Sequence, residues 1–322
     1  MDAGAVSFTM YWFMFPVSIL VATTAMLSGI GGAAYFVPIF WIIFPLLDAH
    51  APHASGSAYS MMPAQVIAVA LFTEVFGFSS GFIGYYRKRL IDFRVGWAFI
   101  IWAVPVAVAG AVLLILNVFA AVWLQLIYGL MMVFVAWILF QGHGPEEILE
   151  IEGERQKKGL FQLPARDGEQ RTLTDSAGND HAYSFHRPRW GTLPLGLGGF
   201  LTGLVGVGIG EVTIPLLVRR YRFPVAVAAA TSIFIVIVTV MSASFAQIIG
   251  LLNKGGINAI PWHLVMYTVP AVIIGGQIGP RLQGVVPART VERAIGVLFS
   301  IIAAAFLALV YQQFAGADAA AH

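Results

Sequence analysis

Apolar residues run through this chain in blocks far longer than the few turns that a soluble helix buries. Residues 8 to 47 are apolar almost without interruption. Forty helical residues would reach about 60 Å, twice the roughly 30 Å of a bilayer's hydrocarbon core, so this block must fold back or tilt. Polar residues 48 to 57 follow, then apolar helices are predicted over 57–83, 93–116 and 119–140. From Gly142 to Arg189 the pattern changes, with 16 of the chain's 34 Asp, Glu, Lys and Arg residues in that stretch. Apolar blocks then resume at 191–218, 224–251, 262–279 and 291–313. The chain thus divides into a first half (1–141), a hydrophilic linker (142–190) and a second half (191–322). Within the linker, short alternating runs flank Ser176-Ala177-Gly178-Asn179-Asp180, which suits a small β-hairpin over Arg171 to Phe185.

The first block of each half is broken by glycines at matching places. Ser28-Gly29-Ile30-Gly31-Gly32-Ala33-Ala34-Tyr35-Phe36-Val37-Pro38 lies over Val205-Gly206-Val207-Gly208-Ile209-Gly210-Glu211-Val212-Thr213-Ile214-Pro215. The match continues, with Pro52, Ala54, Ala58 and Ser60 over Pro224, Ala226, Ala230 and Ser232. Glycine and proline break helices. In a bilayer, broken backbone is tolerated only where protein or a water-filled cavity surrounds it. Each broken block is therefore expected to be a helical hairpin with its tip at the glycines, the rival being one long kinked helix. Internal duplication with broken helices is the mark of many transporters.

Charge separates two topologies. If each broken block crosses the membrane once, the best of the eight-crossing arrangements leaves six Lys and Arg outside. If each is a hairpin returning to its own side, six crossings remain, and 17 of the 18 Lys and Arg lie inside, Lys254 alone outside. The positive-inside rule favours the hairpins. Three crossings per half invert the second half relative to the first. The expected fold is thus an all-α integral membrane protein of two inverted-topology repeats, each a glycine-broken hairpin plus three transmembrane helices. Met1, His322 and the 48–57 loop would face outside, and the linker and Arg219-Arg220-Tyr221-Arg222 the cytoplasm of a cell (inner or plasma) membrane. Composition agrees: 59% of residues are hydrophobic, 11% charged, and mean hydropathy is +0.83.

Composition also removes function classes. Cysteine is absent, which excludes disulfides, thiolate metal sites and thiol catalysis. His50 and His53 have no third ligand nearby, so neither a metal nor a cofactor is expected. A net charge of +2, with its basic residues in loop clusters, argues against nucleic-acid binding. No His-Glu-x-x-His is present, and the Gly-x-Ser-x-Gly match Gly77-Phe78-Ser79-Ser80-Gly81 falls inside a predicted apolar helix rather than at a strand-to-helix turn, so the chain does not read as an enzyme. The alternative to a transporter is a membrane scaffold or assembly factor whose glycines serve packing only. Association with further copies of the chain is left open.

At a hairpin tip, glycines let the backbone turn, and the arm that follows begins with amide N–H groups and the positive end of a helix dipole, which attract an anion. Gly29, Gly31 and Gly32 would form one tip, and Gly206, Gly208 and Gly210 the other, with φ > 0 and close backbone approach expected at Gly31 and Gly208. Ser57, Ser60 and Gln65 after the first tip, and Thr231 and Ser232 after the second, are candidates to complete the shell by hydrogen bonding. Glu74 and Glu211 fall within apolar segments. An ionised carboxylate at such depth is costly, so each is expected to be paired, protonated or functional, which suits a proton-coupled cycle.

The glycine motifs resemble those of the TauE/SafE family, as do Ser79-Ser80-Gly81-Phe82-Ile83-Gly84-Tyr85-Tyr86-Arg87 and Gly275-Gly276-Gln277-Ile278-Gly279. Ala33 stands where the family pattern has a further glycine, and Ile209 and Glu211 depart from it in the second copy. The resemblance spans the apolar halves and leaves the linker out. It implies a membrane transporter that moves sulfite or organosulfonate anions, generally outward, with a small anion and the lipid bilayer as partners.

Overall fold

A computed structural model describes residues 11–45, 61–141, 169–176, 178, 180–185, 193–221, 223–282 and 288–320. Five helical elements recur in each half. The first half holds α1 (Met14–Ser28), α2 (Ala33–Pro38), α3 (Pro63–Arg87), α4 (Phe93–Ile115) and α5 (Ala121–Gln141). The second holds α6 (Leu193–Val205), α7 (Ile209–Pro215), α8 (Val225–Gly255), α9 (Trp262–Leu282) and α10 (Ala288–Ala320). The described residues are thus mostly helical but not all-α: between the halves, strands β1 (Glu169–Thr174) and β2 (Asp180–Phe185) pair antiparallel, Arg171 opposite Tyr183.

Both broken blocks are hairpins. After α1, Gly29 takes the left-handed conformation (φ 71°) and ends the helix. The chain then returns through α2 until the Phe44 ring lies 5.8 Å from Tyr11 and 6.1 Å from Phe13. Gly206 (φ 86°) turns the second hairpin, which comes back until Tyr221 packs on Phe99 of α4. Each returning arm ends in a proline followed by one wide π-helical turn, Ile39–Ile43 and Leu216–Arg220. Proline lacks the N–H and crowds the carbonyl four residues back, so the regular helical ladder is interrupted at each proline.

Helix pairings repeat when the halves are exchanged. α1 packs on α9, and α6 on α4; α3 packs on α9, and α8 on α4; α3 pairs with α8, and α5 with α10. Small residues permit the closest crossings: methyl groups added at Gly275 or Gly199 would lie 2.5 Å from the Ile19 carbonyl oxygen and 2.9 Å from that of Ala103. Contacts along each pair fix direction. Tyr11 stacks at 4.6 Å on His263, while Thr23 lies against the Gly275 carbonyl at 3.4 Å, so α1 and α9 run together. Thr73 bonds Thr268 at 2.9 Å and Ser80 bonds the Ile273 carbonyl at 3.1 Å, so α3 runs with them. α8 runs the other way, with Gln65 reaching the Ala259 carbonyl and Phe82 facing Phe234. α4 runs with α8, because the Asp92 amide donates to Thr231 and Lys254 donates to the Ile115 carbonyl. α6 follows α4 through Gly199 on Ala103 and Gly203 on Ala107. The two broken helices therefore enter the molecule from opposite ends.

Among the described residues, five helices are long and apolar enough to cross a bilayer by length and composition: α3, α4, α5, α8 and α10. The sequence leads to a sixth at 262–279, but α9 is not among them; Gly275, Gly276 and Gln277 dilute its hydropathy, and it lies between α1 and α3. Helix α3 is the most enclosed of the five, with Val66 to Leu71 buried.

Candidate functional site

The two tips meet inside the bundle. A methyl group added at Gly210 would lie 3.6 Å from the Gly31 amide nitrogen, and one at Gly206 would lie 3.6 Å from Ala33 Cβ and 3.5 Å from Ile67 of α3. Two carboxylates stand at this junction. Glu74 projects from the middle of α3 with only 4% of its surface exposed, and Glu211, in the first turn of α7, has 9%.

Both carboxylates accept hydrogen bonds from the tip amides. Glu211 Oε2 takes the Gly208 N–H at 2.9 Å and Oε1 the Gly31 N–H at 3.4 Å, so one side chain bridges the two tips. Glu74 Oε2 takes the Ala33 N–H at 3.0 Å, with the Gly32 amide also directed at it. A methyl group placed on Gly31 would lie 2.8 Å from Glu74 Oε1 and 3.6 Å from Glu211 Oε1. The two oxygens are therefore no farther apart than the sum of those distances. Two negative charges so close in a low-dielectric interior repel strongly. The amide donors offset part of that cost, as hydrogen bonds to charged acceptors do.

Neighbouring hydroxyls hold the tips in shape. Thr202 Oγ accepts the Ile209 N–H at 2.7 Å and donates to the Gly198 carbonyl at 2.9 Å, tying α6 to the start of α7. Ser28 Oγ accepts the Ile30 N–H at 3.3 Å and lies 3.4 Å from the Tyr35 hydroxyl. Tyr128 of α5, fully buried, donates to the Ala34 carbonyl at 2.7 Å. Thr202 and Ser28 escape a sequence reading because such hydroxyls are common in membrane helices and bond their own backbone, and Tyr128 because its partner lies 94 residues away.

The other candidates lie elsewhere or are engaged elsewhere. Gln65 accepts the Met62 N–H and donates to the Ala259 carbonyl, at the root of α3. Thr231 accepts the Asp92 N–H where α8 begins, and Ser232 is buried beside it. Ser57 and Ser60, like His50 and His53, lie outside the described residues. Positive φ falls on Gly29, Gly206 and Gly208, and not on Gly31 as the sequence suggests. Among the described residues no group of His, Cys, Asp and Glu has a geometry that holds a metal ion.

A buried junction of two broken helices, lined by amide donors and carboxylates, suits an anion and a proton. The profile of the sulfite exporter TauE/SafE family matches residues 14–306, a span that takes in both tips. The chain belongs to the TauE/SafE family. It is also similar to the probable membrane transporter protein YunE of Bacillus subtilis (strain 168), at 23% identity over 284 residues, covering 88% of this chain and 92% of that one. No solved structure matches. The chain is thus a multi-pass membrane protein of a transporter family. The TauE/SafE segments at 79–87 and 275–279 also acquire a physical role, since Gln277 Nε2 donates to Ser80 Oγ at 2.7 Å and to the Ser80 carbonyl at 3.0 Å where α9 packs on α3.

Proposed function

We propose that this protein is a secondary transporter that exports sulfite or a small organosulfonate, coupled to the proton gradient, with the joined tips as its anion site. The observation that carries the reading is the bridge made by Glu211. One carboxylate, with two oxygens on one carbon, takes an amide from each tip. A sulfite or sulfonate group presents oxygens on sulfur to the same donors. Substrate and ionised Glu211 therefore compete for the amides. Once Glu211 takes a proton it is a poorer acceptor and carries no charge to repel the incoming anion, so the amides pass to substrate. Glu74 keeps the Gly32–Ala33 turn in place and is the second group able to carry a proton. On this reading proton and anion travel together, and substrate accumulating in the cytoplasm drives both outward.

The two halves act as inverted repeats. Supporting this are the exchange of helix pairings between the halves, the opposite entry of the two hairpins, and the common direction of α4 and α8. If each broken block crossed the membrane, three crossings would separate the starts of α4 and α8 and the two would run oppositely. Such a pair of broken elements at the bilayer midplane lets one site face either side in turn. The orientation follows from charge, with both termini outside and the linker in the cytoplasm, at a cell membrane.

The test is flux from proteoliposomes loaded with sulfite, sulfoacetate or sulfate. Efflux of sulfite or sulfoacetate faster than from protein-free vesicles, and faster still into a medium more alkaline than the lumen, is expected. If none of the three anions moves faster than from empty vesicles, the transport reading falls and a scaffold role takes its place.

A further inference from the structure

The linker hairpin is bound at the seam between the two halves. Asp92 Oδ1 caps α4 by accepting the Arg94 and Val95 amides at 3.0 and 3.1 Å, while its Oδ2 accepts the Tyr183 hydroxyl at 2.5 Å and pairs with Arg171 Nε at 3.0 Å. The Ser176 amide donates to the Lys88 carbonyl at 3.0 Å, fixing the hairpin's turn to the α3–α4 loop. Its aromatic residues reach into the second half as well. The Tyr183 ring packs 4.4 Å from Phe223, and Phe185 lies among Phe99, Tyr221 and Phe223. Tyr221 and Phe223 form the elbow between the returning arm of the second broken helix and α8, and Tyr221 packs on Phe99 of α4.

We propose that the β1–β2 hairpin is a clasp that holds the elbow of the second broken helix against α4 and must come off before the tip site opens to that end of the molecule. The inference rests on the alternating-access reading. The arm that carries Glu211 in its first turn ends at this elbow, so the arm can swing from α4 only when the Tyr221–Phe99 contact parts, and the hairpin spans that contact on both sides. Access from the other end has no counterpart among the described residues. There, the root of the first hairpin is closed by Tyr11, Phe44 and His263, all from the helical blocks themselves. The described hairpin thus acts at the end of the molecule assigned to the cytoplasm. Burial, then the hydrogen bond to Asp92 and its charge, push the Tyr183 phenol up, so it stays a donor at neutral pH and the clasp is released by loss of packing.

The cysteine-free chain makes the test direct. Thr213→Cys places a reporter two turns deeper than the elbow, at a buried position of α7, and Met14→Cys places a control at the buried root of the other hairpin. Each is made in the full chain and in the Tyr183→Ala/Phe185→Ala double variant, purified into nanodiscs and exposed to a charged maleimide. The clasp predicts at least tenfold faster labelling of Thr213→Cys in the double variant and an unchanged rate at Met14→Cys. An unchanged rate at Thr213→Cys overturns it, as does an equal rise at both positions, which would mean general loosening. Anion flux of the parent chain is read separately, so a failed transport assay and a failed clasp are distinguishable.

Discussion

Replacing Gly31 by alanine separates a site made of backbone amides from a packing glycine. Gly31 has no positive φ, so alanine is not strained there, and the cost to folding is expected to stay within about 1 kcal/mol. The added methyl lies 2.8 Å from Glu74 Oε1, closer than carbon and oxygen rest, and what it meets is the end of a side chain. Glu74 must retreat by several tenths of an ångström. Its 3.0 Å bond to the Ala33 amide then lengthens past the usual hydrogen-bond range. The methyl also fills the space beside the Gly31 N–H that a substrate oxygen would enter. A hydrogen bond to a charged acceptor contributes about 1.5 to 3 kcal/mol, so anion affinity should fall between roughly tenfold and a hundredfold. Gly296→Ala is the packing control, since its methyl, in the third turn of α10, would press on Phe140 at 3.2 Å. Affinity for sulfite, at matched folded fraction, is the assay. Parent-like affinity in Gly31→Ala would refute the reasoning.

Gly208→Ala should instead fail by folding, because φ is 147° and the methyl would lie 2.5 Å from the Gly198 carbonyl oxygen; a loss of roughly 2 to 5 kcal/mol is expected, from a backbone conformation reserved to glycine and an overpacked contact that no rotamer relieves, and thermal unfolding in detergent reads it. Thr202→Val keeps the shape but leaves the buried Ile209 N–H without its acceptor, which should cost about 1 to 3 kcal/mol and be visible in the same unfolding assay. Glu74→Gln preserves an acceptor for the Ala33 amide while removing the charge, so the protein should fold as the parent does and lose only part of the acceleration of efflux by an alkaline medium, since Glu211 keeps its own proton; unchanged acceleration would take Glu74 out of proton coupling. Single cysteines at either terminus should label only from outside in oriented vesicles, and labelling from the linker's side alone would overturn the six-crossing topology.

The hairpins were legible because glycine and proline act locally: Gly29 and Gly206 end helices wherever they stand, and the partition of Lys and Arg needs no tertiary contact. The pairing of the tips was legible as far as the duplication goes. What the tips touch was not. Glu74 lies 41 residues beyond Ala33, and nothing in its apolar surroundings names the amide it accepts from. Glu211 reads from sequence as a costly carboxylate within an apolar segment, and nothing there shows that one of its oxygens reaches Gly31, 180 residues away. Positive φ at Gly208 follows from its place before α7, whereas Gly31 is a glycine for the room that Glu74 takes. The linker hairpin shows in its alternating residues, but its docking depends on Asp92, whose bond to Tyr183 reaches across 91 residues.

The competition between Glu211 and substrate for the tip amides is tested most directly by counting protons. Calorimetric titration of the purified protein with a simple sulfonate, which does not itself titrate near neutral pH, in two buffers of different ionisation enthalpy gives the protons taken up per anion bound. Uptake of about one proton is predicted for the parent and none for Glu211→Gln, which should still bind the anion because the Gly31 and Gly208 amides remain. Equal uptake in the two proteins, or loss of anion binding in Glu211→Gln with the fold intact, would contradict the account.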